Sequence, residues 1–149
     1  MRLIIDADAC PVTREAIATA RERGRSVLLV ANATQNLERY ASRSGVEAIQ
    51  VSGGSDAADF AIIERLEPGD VVVTQDIGLA AMVLGRGARA IGVRGRIYYL
   101  ATIDAELEVR HEQAKLRRAG GRHKGPAPFT DEDREYFVDQ LVRLMDAPE

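Results

Sequence analysis

Five short apolar runs mark the first two thirds of the chain, at residues 3–5, 27–31, 46–51, 71–74 and 90–93. The first, second and fourth runs are rich in branched residues and nearly continuous, which is typical of strands buried on both faces. The third run alternates apolar and polar residues, as a half-exposed strand does. Apolar residues recur at helical spacing between the runs. This alternation predicts an α/β fold, with a mostly parallel sheet of about five strands, right-handed crossovers and helices on both faces.

The first helical segment begins after the first run, and Pro11 is predicted to open it. Residues 103–119 are predicted to form a later helix whose apolar stripe contains Ile103, Leu107 and Ala114. The pattern Thr130-x-x-Asp133 then predicts a capping box that starts a last helix. We therefore expect one domain, 1–149, with an α/β core at 1–101 and C-terminal helices at 102–149.

The composition of the 149 residues, of which 46% are hydrophobic, fits a folded domain with a real core. The single cysteine, Cys10, excludes an internal disulfide framework and a CxxC zinc site. No apolar run approaches the roughly 20 residues that span a bilayer, and the N-terminus lacks the layout of a signal peptide. We therefore expect a cytoplasmic protein with no membrane partner. The oligomeric state stays open.

Two aspartates, Asp6 and Asp8, follow the first apolar run directly. Residues two apart in a strand point to the same face, so both carboxylates would project together at the carboxyl end of the strand. Two carboxylates about 5 Å apart repel by roughly 3 kcal/mol at an effective dielectric constant near 20. A bound cation would remove that repulsion. The alternative at this stretch is that Asp8 caps a helix and Asp6 is a solvated strand end.

Further polar residues fall at the carboxyl ends of the predicted strands, where open parallel sheets bind their ligands. The full set is Asp6, Asp8, Asn32, Asp56, Asp59, Asp76 and Arg94. Asp56 and Asp59 would also favour a helix dipole, and Asp76 would also cap a helix. Those roles leave the doubled Asp6 and Asp8 unexplained, so we predict a shared acidic site. Its all-oxygen ligands suit Mg²⁺ or Mn²⁺ rather than zinc.

A basic stretch at 110–124 follows the predicted sheet. Because the net charge is −3, any nucleic-acid partner must be met by a local basic patch of this kind. The candidate phosphate contacts in the stretch are Arg117, Arg118, Arg122 and Lys124. The alternative is a solvated helix end followed by a loop.

Three separated motifs resemble the YaiI/YqxD family of bacterial proteins: Ile5-Asp6-Ala7-Asp8-Ala9-Cys10-Pro11, Gly53-Gly54-Ser55-Asp56-Ala57-Ala58-Asp59 and Thr74-Gln75-Asp76-Ile77-Gly78-Leu79-Ala80. The segment Gly125-Pro126-Ala127-Pro128-Phe129 resembles that family's closing motif. The resemblance covers nearly the whole chain and implies a three-layer α/β/α, PIN-like fold, similar to the PIN and NYN nuclease domains.

The resemblance also implies roles for the acids. Asp6 and Asp76 match the first and last metal-binding acids of PIN nucleases, Asp56 and Asp59 take the middle role, and Asp8 matches the motif of the family. RNA is then the expected partner.

The predicted reaction is metal-dependent hydrolysis of a phosphodiester by a water on the metal, with Asp6, Asp8 and Asp76 as catalytic residues. Asn32, Thr74 and Arg94 are expected to contact the substrate beside the basic stretch.

Two alternatives remain. One is a phosphatase resembling the haloacid dehalogenase group, in which Asp6 would be the nucleophile, Asp8 the acid/base and Thr74 a phosphate contact. Against it, the first lysine of the chain is Lys115. The other is a non-catalytic adaptor that binds RNA or a protein.

Overall fold

The computed structural model describes residues 1–32, 37–54, 56–120 and 127–147, and within them a six-stranded sheet forms the middle layer. The strands are β1 (Leu3–Asp6), β2 (Val27–Asn32), β3 (Val46–Val51), β4 (Val71–Val73), β5 (Arg89–Ile91) and β6 (Ile97–Tyr98). They lie in the order β3-β2-β1-β4-β5-β6, and the pairs from β3 to β5 are parallel while β6 runs antiparallel to β5. The predicted class and the mostly parallel sheet are confirmed.

Helices cover both faces of this sheet. They are α1 (Thr13–Glu22), α2 (Glu38–Ala41), α3 (Ala57–Arg65), α4 (Ile77–Gly85), α5 (Leu100–Arg118) and α6 (Asp131–Asp146). Alternate residues of each strand point to opposite faces, so Leu3 and Ile5 pack against α1 and α6, whereas Ile4 packs against α3 and α4. The architecture is the three-layer α/β/α domain that the PIN-like resemblance implied.

The sequences of the central strands are continuously apolar because helices cover both faces of these strands. Ile4, Leu29 and Val72 are fully or almost fully buried, and they belong to the cores on the two sides of the sheet. By contrast β3, at the edge, is only partly buried, in agreement with its alternating sequence.

Two predicted boundaries at the sheet were wrong. The first helix begins at Thr13 rather than Pro11, because a left-handed residue, Ala9 at φ 56°, makes a turn between the strand and the helix. The fifth strand ends at Ile91 rather than at residue 93. The chain turns there through Gly95 at φ 93°, so that Gly92 N–H donates to the Arg96 carbonyl at 2.8 Å. This hairpin adds β6, which the sequence reading did not predict.

The C-terminal helices lie on opposite faces. The predicted capping box of α6 is confirmed, because Thr130 Oγ1 accepts from Asp133 N–H at 3.1 Å and Asp133 Oδ2 accepts from Thr130 N–H at 3.0 Å. Phe137 of α6 is fully buried beside α1, whereas Ile103 is the buried residue of α5. Within the residues that the structure describes, no helix combines the length and the apolar character needed to cross a bilayer.

Candidate metal and phosphate site

The parallel order of the strands brings the predicted acids to one edge of the sheet. Asp6 is the last residue of β1, and Asp76 stands between β4 and α4. β4 pairs directly with β1, so these two strand ends are neighbours. The helix α3 packs over β1 and β2, and its first turn carries Asp59 towards Asp76. Acids that are far apart in sequence are therefore close in space.

Thr74 connects two of these acids. It is fully buried at the end of β4, one residue beyond the pairing of Val73 with Ile5, so it lies opposite Asp6. Its Oγ1 donates to Asp6 Oδ2 at 2.9 Å and accepts from Asp76 N–H at 3.0 Å. Thr74 was predicted to contact a substrate. Its buried position gives it the role of holding Asp6 and the start of α4 in fixed positions.

The local environment disfavours the charged forms of two carboxyl groups. Burial raises the pKa of Asp6 from 3.8 to about 6, against the hydrogen bond from Thr74, and the carboxylates of Asp59, Asp8 and Asp76 raise it further. Burial is also the main cause that raises the pKa of Asp59 to about 6. The charges of Asp76 and Asp56 and a hydrogen bond with Asp76 raise the same pKa further. A cation beside these carboxylates would offset their mutual repulsion.

The other acids have additional structural roles. Asp76 Oδ1 accepts from the N–H groups of Gly78 and Leu79 at 2.8 and 3.2 Å, so the helix cap considered as its alternative role is present as well. Asp8 does not cap α1. Its carboxylate accepts the N–H of Asn32, at the end of β2, at 3.2 and 3.3 Å. Asp56 is exposed before α3 and makes no side-chain cap, so it lies at the rim of the cluster.

A cavity of about 630 Å³, which we call the acidic pocket, lies beside these acids. Among the described residues, the carboxylates of Asp6, Asp8 and Asp76 line it, whereas those of Asp56 and Asp59 do not. The same cavity is also lined by three arginines, a glutamine and a tyrosine, which are Arg94, Arg96, Arg110, Gln75 and Tyr98. Negative and positive side chains therefore share one open cavity.

The sequence analysis missed three of these residues, Gln75, Arg96 and Tyr98, and it included Arg110 only as the first residue of the basic stretch at 110–124. Arg96 and Tyr98 reach the pocket through the β5–β6 hairpin. The signal for that hairpin was present, because the glycine-containing segment 92–95 is followed by Ile97-Tyr98, and glycine between short apolar segments favours a hairpin. Arg110 comes from the middle of α5, and its direction depends on how that helix packs.

Two of the four predicted basic contacts, Arg117 and Arg118, lie outside the acidic pocket. Arg117 and Arg118 are exposed at the end of α5, seven and eight residues after Arg110, which places them roughly 10–12 Å further along the helix axis. Neither lines the acidic pocket. Arg122 and Lys124 lie outside the described residues.

Arg94 stands at the predicted edge, but its guanidinium is already engaged. It pairs with Asp133 at 2.9 Å and also donates to the Ala127 carbonyl, which fixes the start of α6 beside the pocket.

The chemistry of the acids suits a hard cation, because every side-chain atom that could coordinate the cation is a carboxylate oxygen. Among the described residues, no three acidic, histidine or cysteine side chains stand close enough together to hold an ion on their own. Mg²⁺ commonly binds through one or two carboxylates and completes its shell with waters and phosphate oxygens. Asp6 and Asp76 both line the acidic pocket, and Thr74 fixes the Asp6 carboxylate and the backbone N–H of Asp76.

Comparison with known proteins gives a match over nearly the whole chain. The model of a family described as "Uncharacterized BCR, YaiI/YqxD family" matches residues 4–147. A UPF0178 protein of Exiguobacterium sibiricum is 42% identical over 145 residues, covering 97% of this chain and 96% of that protein. A UPF0178 protein of Brucella ovis is 44% identical over 149 residues, covering 97% of this chain and 91% of that protein.

Among solved structures, that of Rae1 (YacP) from Bacillus subtilis aligns with a TM-score of 0.45 at 19% identity, over 80% of this chain and 84% of that one. That similarity is too distant to inform function. The family match and the relatives above 40% identity, by contrast, extend along almost the entire sequence. The chain belongs to the YaiI/YqxD family.

Proposed function

We propose that this protein is a divalent-metal-dependent phosphodiester hydrolase that acts on RNA. The observation that carries the proposal is the acidic pocket, in which three carboxylates and three guanidinium groups line one cavity. Carboxylates that crowd together attract a cation, and guanidinium groups bind phosphate oxygens. A phosphodiester with a divalent cation satisfies both sets of groups at once. The resemblance to PIN and NYN nuclease domains favours RNA over other phosphodiesters.

The residues divide into distinct roles in this proposal. Asp6 and Asp76 hold the cation, with Asp8 and Asp59 beside them contributing negative charge. Mg²⁺ or Mn²⁺, when bound, would lower the pKa of a coordinated water and neutralise charge that develops on the phosphate. Thr74 keeps the Asp6 carboxylate oriented through its hydrogen bond at 2.9 Å. A positioned carboxylate of this kind loses no free energy to reorientation during the reaction.

Arg110 is the best candidate for holding the substrate backbone. Arg94 is paired with Asp133, and Arg96 is in contact with Glu106, so much of their charge is already balanced within the protein. The Arg110 guanidinium reaches the pocket from α5 and lies near enough to Tyr98 to act on the pKa of its phenol. Such a contact with phosphate would be independent of base sequence and sensitive to salt.

The geometry gives less support to the phosphatase alternative. That mechanism would use the Thr74 hydroxyl as a phosphate contact, but Thr74 is fully buried. It would also need a lysine, and Lys115, the lysine that falls within the described residues, does not line the acidic pocket. The adaptor alternative differs from the proposal only in lacking cleavage, so the cleavage experiment separates the two.

The test uses the full chain with a labelled panel of single-stranded, hairpin and duplex RNAs and matching DNAs. We expect cleavage of RNA in the presence of Mn²⁺ or Mg²⁺ and none in EDTA. Asp76→Asn should abolish cleavage, because the amide cannot supply the lost charge. Asp139→Asn, which changes an exposed carboxylate of α6, is the matched control and should cleave like the wild type. RNA that binds but is never cut would establish the adaptor.

A salt titration of RNA binding tests the assignment of Arg110. Arg110→Gln should lower the slope of log affinity against log salt by roughly 0.7, the value for one phosphate contact on a single strand. Arg117→Gln makes the same change on the same helix outside the pocket. Equal slopes for Arg110→Gln and the wild type would remove Arg110 from the site, and a loss confined to Arg117→Gln would restore the basic stretch as the phosphate contact.

A further inference from the structure

A second cavity, of about 450 Å³, adjoins the acidic pocket. The two cavities share four lining residues: Ala9, Gln75, Val93 and Arg94. The remaining wall of the second cavity is largely apolar and includes Leu37, Tyr40 and Phe129, so we call it the aromatic cavity. Its volume is within the range of small-molecule sites. A ligand that occupies one cavity can therefore extend into the other.

A hydrogen bond spans the boundary between the cavities. Ala9 adopts a left-handed conformation at φ 56°, and the Gln75 amide donates to the Ala9 carbonyl at 2.7 Å. A non-glycine residue in this conformation is strained and persists where the surrounding structure holds it. The hydrogen bond ties the turn after β1 to the turn after β4. These two turns also carry Asp8 and Asp76 of the acidic pocket.

Guanidinium groups accompany both aromatic rings of the cavity. Arg39 and Arg43 lie 5.4 and 5.6 Å from the centre of the Tyr40 ring. On the other side, Arg94 and Arg134 lie 5.6 and 5.2 Å from the centre of the Phe129 ring. Proteins that bind single-stranded nucleic acid commonly alternate aromatic and cationic groups, since bases stack on the rings and phosphates pair with the cations. Arg94 and Arg134 are also paired, with Asp133 at 2.9 Å and with Glu15 at 3.0 Å, so the guanidinium groups beside Tyr40 are the better candidates for phosphate.

Neither ring is part of the fully buried core. Both Tyr40 and Phe129 are half-buried and pack against the core from its margin. Each therefore retains surface that a flat ligand can cover. A flat, weakly polar group attached to a phosphate fits a cavity with aromatic walls that opens into a cavity with arginine and carboxylate walls.

We propose that the aromatic cavity binds one unstacked nucleobase of the RNA strand whose phosphate occupies the acidic pocket. This inference rests on the proposed function and specifies its substrate as single-stranded, because a base inside a duplex cannot enter a cavity of this kind. The base stacks against Tyr40 or Phe129. The edge of the base lies towards Gln75, whose side-chain oxygen can accept a hydrogen bond while its nitrogen holds Ala9.

The test measures binding rather than cleavage, by fluorescence anisotropy in EDTA with the full chain. The probes are labelled octauridylate, whose bases are weakly stacked, and an octamer with the same ribose-phosphate backbone but no bases. We expect the wild type to bind octauridylate roughly ten- to hundredfold tighter, the range for one stacked base. Tyr40→Leu should lose most of this preference and bind the baseless octamer unchanged.

Matched variants separate stacking from other effects. Tyr99→Leu makes the same substitution at an exposed tyrosine outside both cavities and should keep the full preference. Tyr40→Phe keeps the ring and should also keep the preference. Phe129→Leu tests the opposite wall and provides a second measurement if Tyr40→Leu does not fold.

The outcomes distinguish this inference from the proposed function. A preference for bases that survives both Tyr40→Leu and Phe129→Leu overturns the nucleobase assignment, and so does an equal affinity of the wild type for the two octamers. Cleavage of RNA in Mn²⁺ would stand in either case. Conversely, a preference that depends on Tyr40, in a protein that cleaves no RNA, would support the nucleobase cavity and refute the hydrolase.

Discussion

Replacing Asp6 by asparagine should stabilise the metal-free protein at neutral and alkaline pH. The folded protein holds the Asp6 carboxyl in a partly buried position beside three other carboxylates, which raises its pKa to about 6. The unfolded chain ionises the same group with the ordinary pKa of 3.8. Asparagine keeps an oxygen that can accept from Thr74 and carries no charge. The substitution therefore removes the repulsion and retains the hydrogen bond.

The sign and the size of the effect follow from the two pKa values. Between pH 3.8 and about 6 the folded protein retains a proton that the unfolded chain releases, so the free energy of unfolding falls as pH rises through this window. The loss is complete above about pH 6, where the difference in pKa corresponds to roughly 3 kcal/mol. Solvent on the open side of the pocket, and the cost of burying the amide, reduce the expected gain to roughly 1–2 kcal/mol. For a domain of this size that gain is a rise of roughly 3–6 °C in melting temperature.

The assay is a thermal melt followed by circular dichroism in EDTA, at pH 8 and pH 4.5. Asp6→Asn should melt higher than the wild type at pH 8, and most of the difference should disappear at pH 4.5. Asp139→Asn provides the control, because it removes the same charge at an exposed position of α6 away from the acidic pocket, and its melting temperature should match the wild type at both pH values. A mutant that is less stable at pH 8, or equally shifted at both pH values, would refute the repulsion argument.

Three further predictions concern the same core and site. Millimolar Mn²⁺ should raise the melting temperature of the wild type, because an ion bound by the native state stabilises that state, and Asp76→Asn should remove the rise; unchanged melts in Mn²⁺ would count against a metal site. Thr74→Val should lower the free energy of unfolding, measured in urea, by about 1–3 kcal/mol, because Asp6 and the amide of Asp76 lose a buried hydroxyl, whereas Thr74→Ser should stay close to the wild type. Phe137→Ala should lower the free energy of unfolding by about 3–5 kcal/mol, because Phe137 is fully buried. Tyr136→Ala should lower the same free energy far less, because the neighbouring Tyr136 is 53% exposed.

The sequence alone determined the class of the fold and the edge at which the acids lie. Local patterns carry this information, because a strand that is buried on both faces must be apolar along its whole length and a crossover helix must be amphipathic. Once Asp6 and Asp76 are placed directly after parallel strands, their position at the carboxyl edge follows from the topology. The capping box at Thr130 and Asp133 is equally local, and the structure contains it.

The tertiary structure decided which residues share a cavity. Arg110 and Arg117 belong to the same basic stretch, yet only the packing of α5 against α4 determines which of them faces the acids. The β5–β6 hairpin brings Arg96 and Tyr98 to the site. Its turn contains Gly92 and Gly95, and the apolar pattern of the sequence did not predict it. Thr74 acquires its role from the register of β4 against β1, which sets its hydroxyl opposite Asp6. Such contacts join residues that are distant in sequence, and no local periodicity encodes the distances between them.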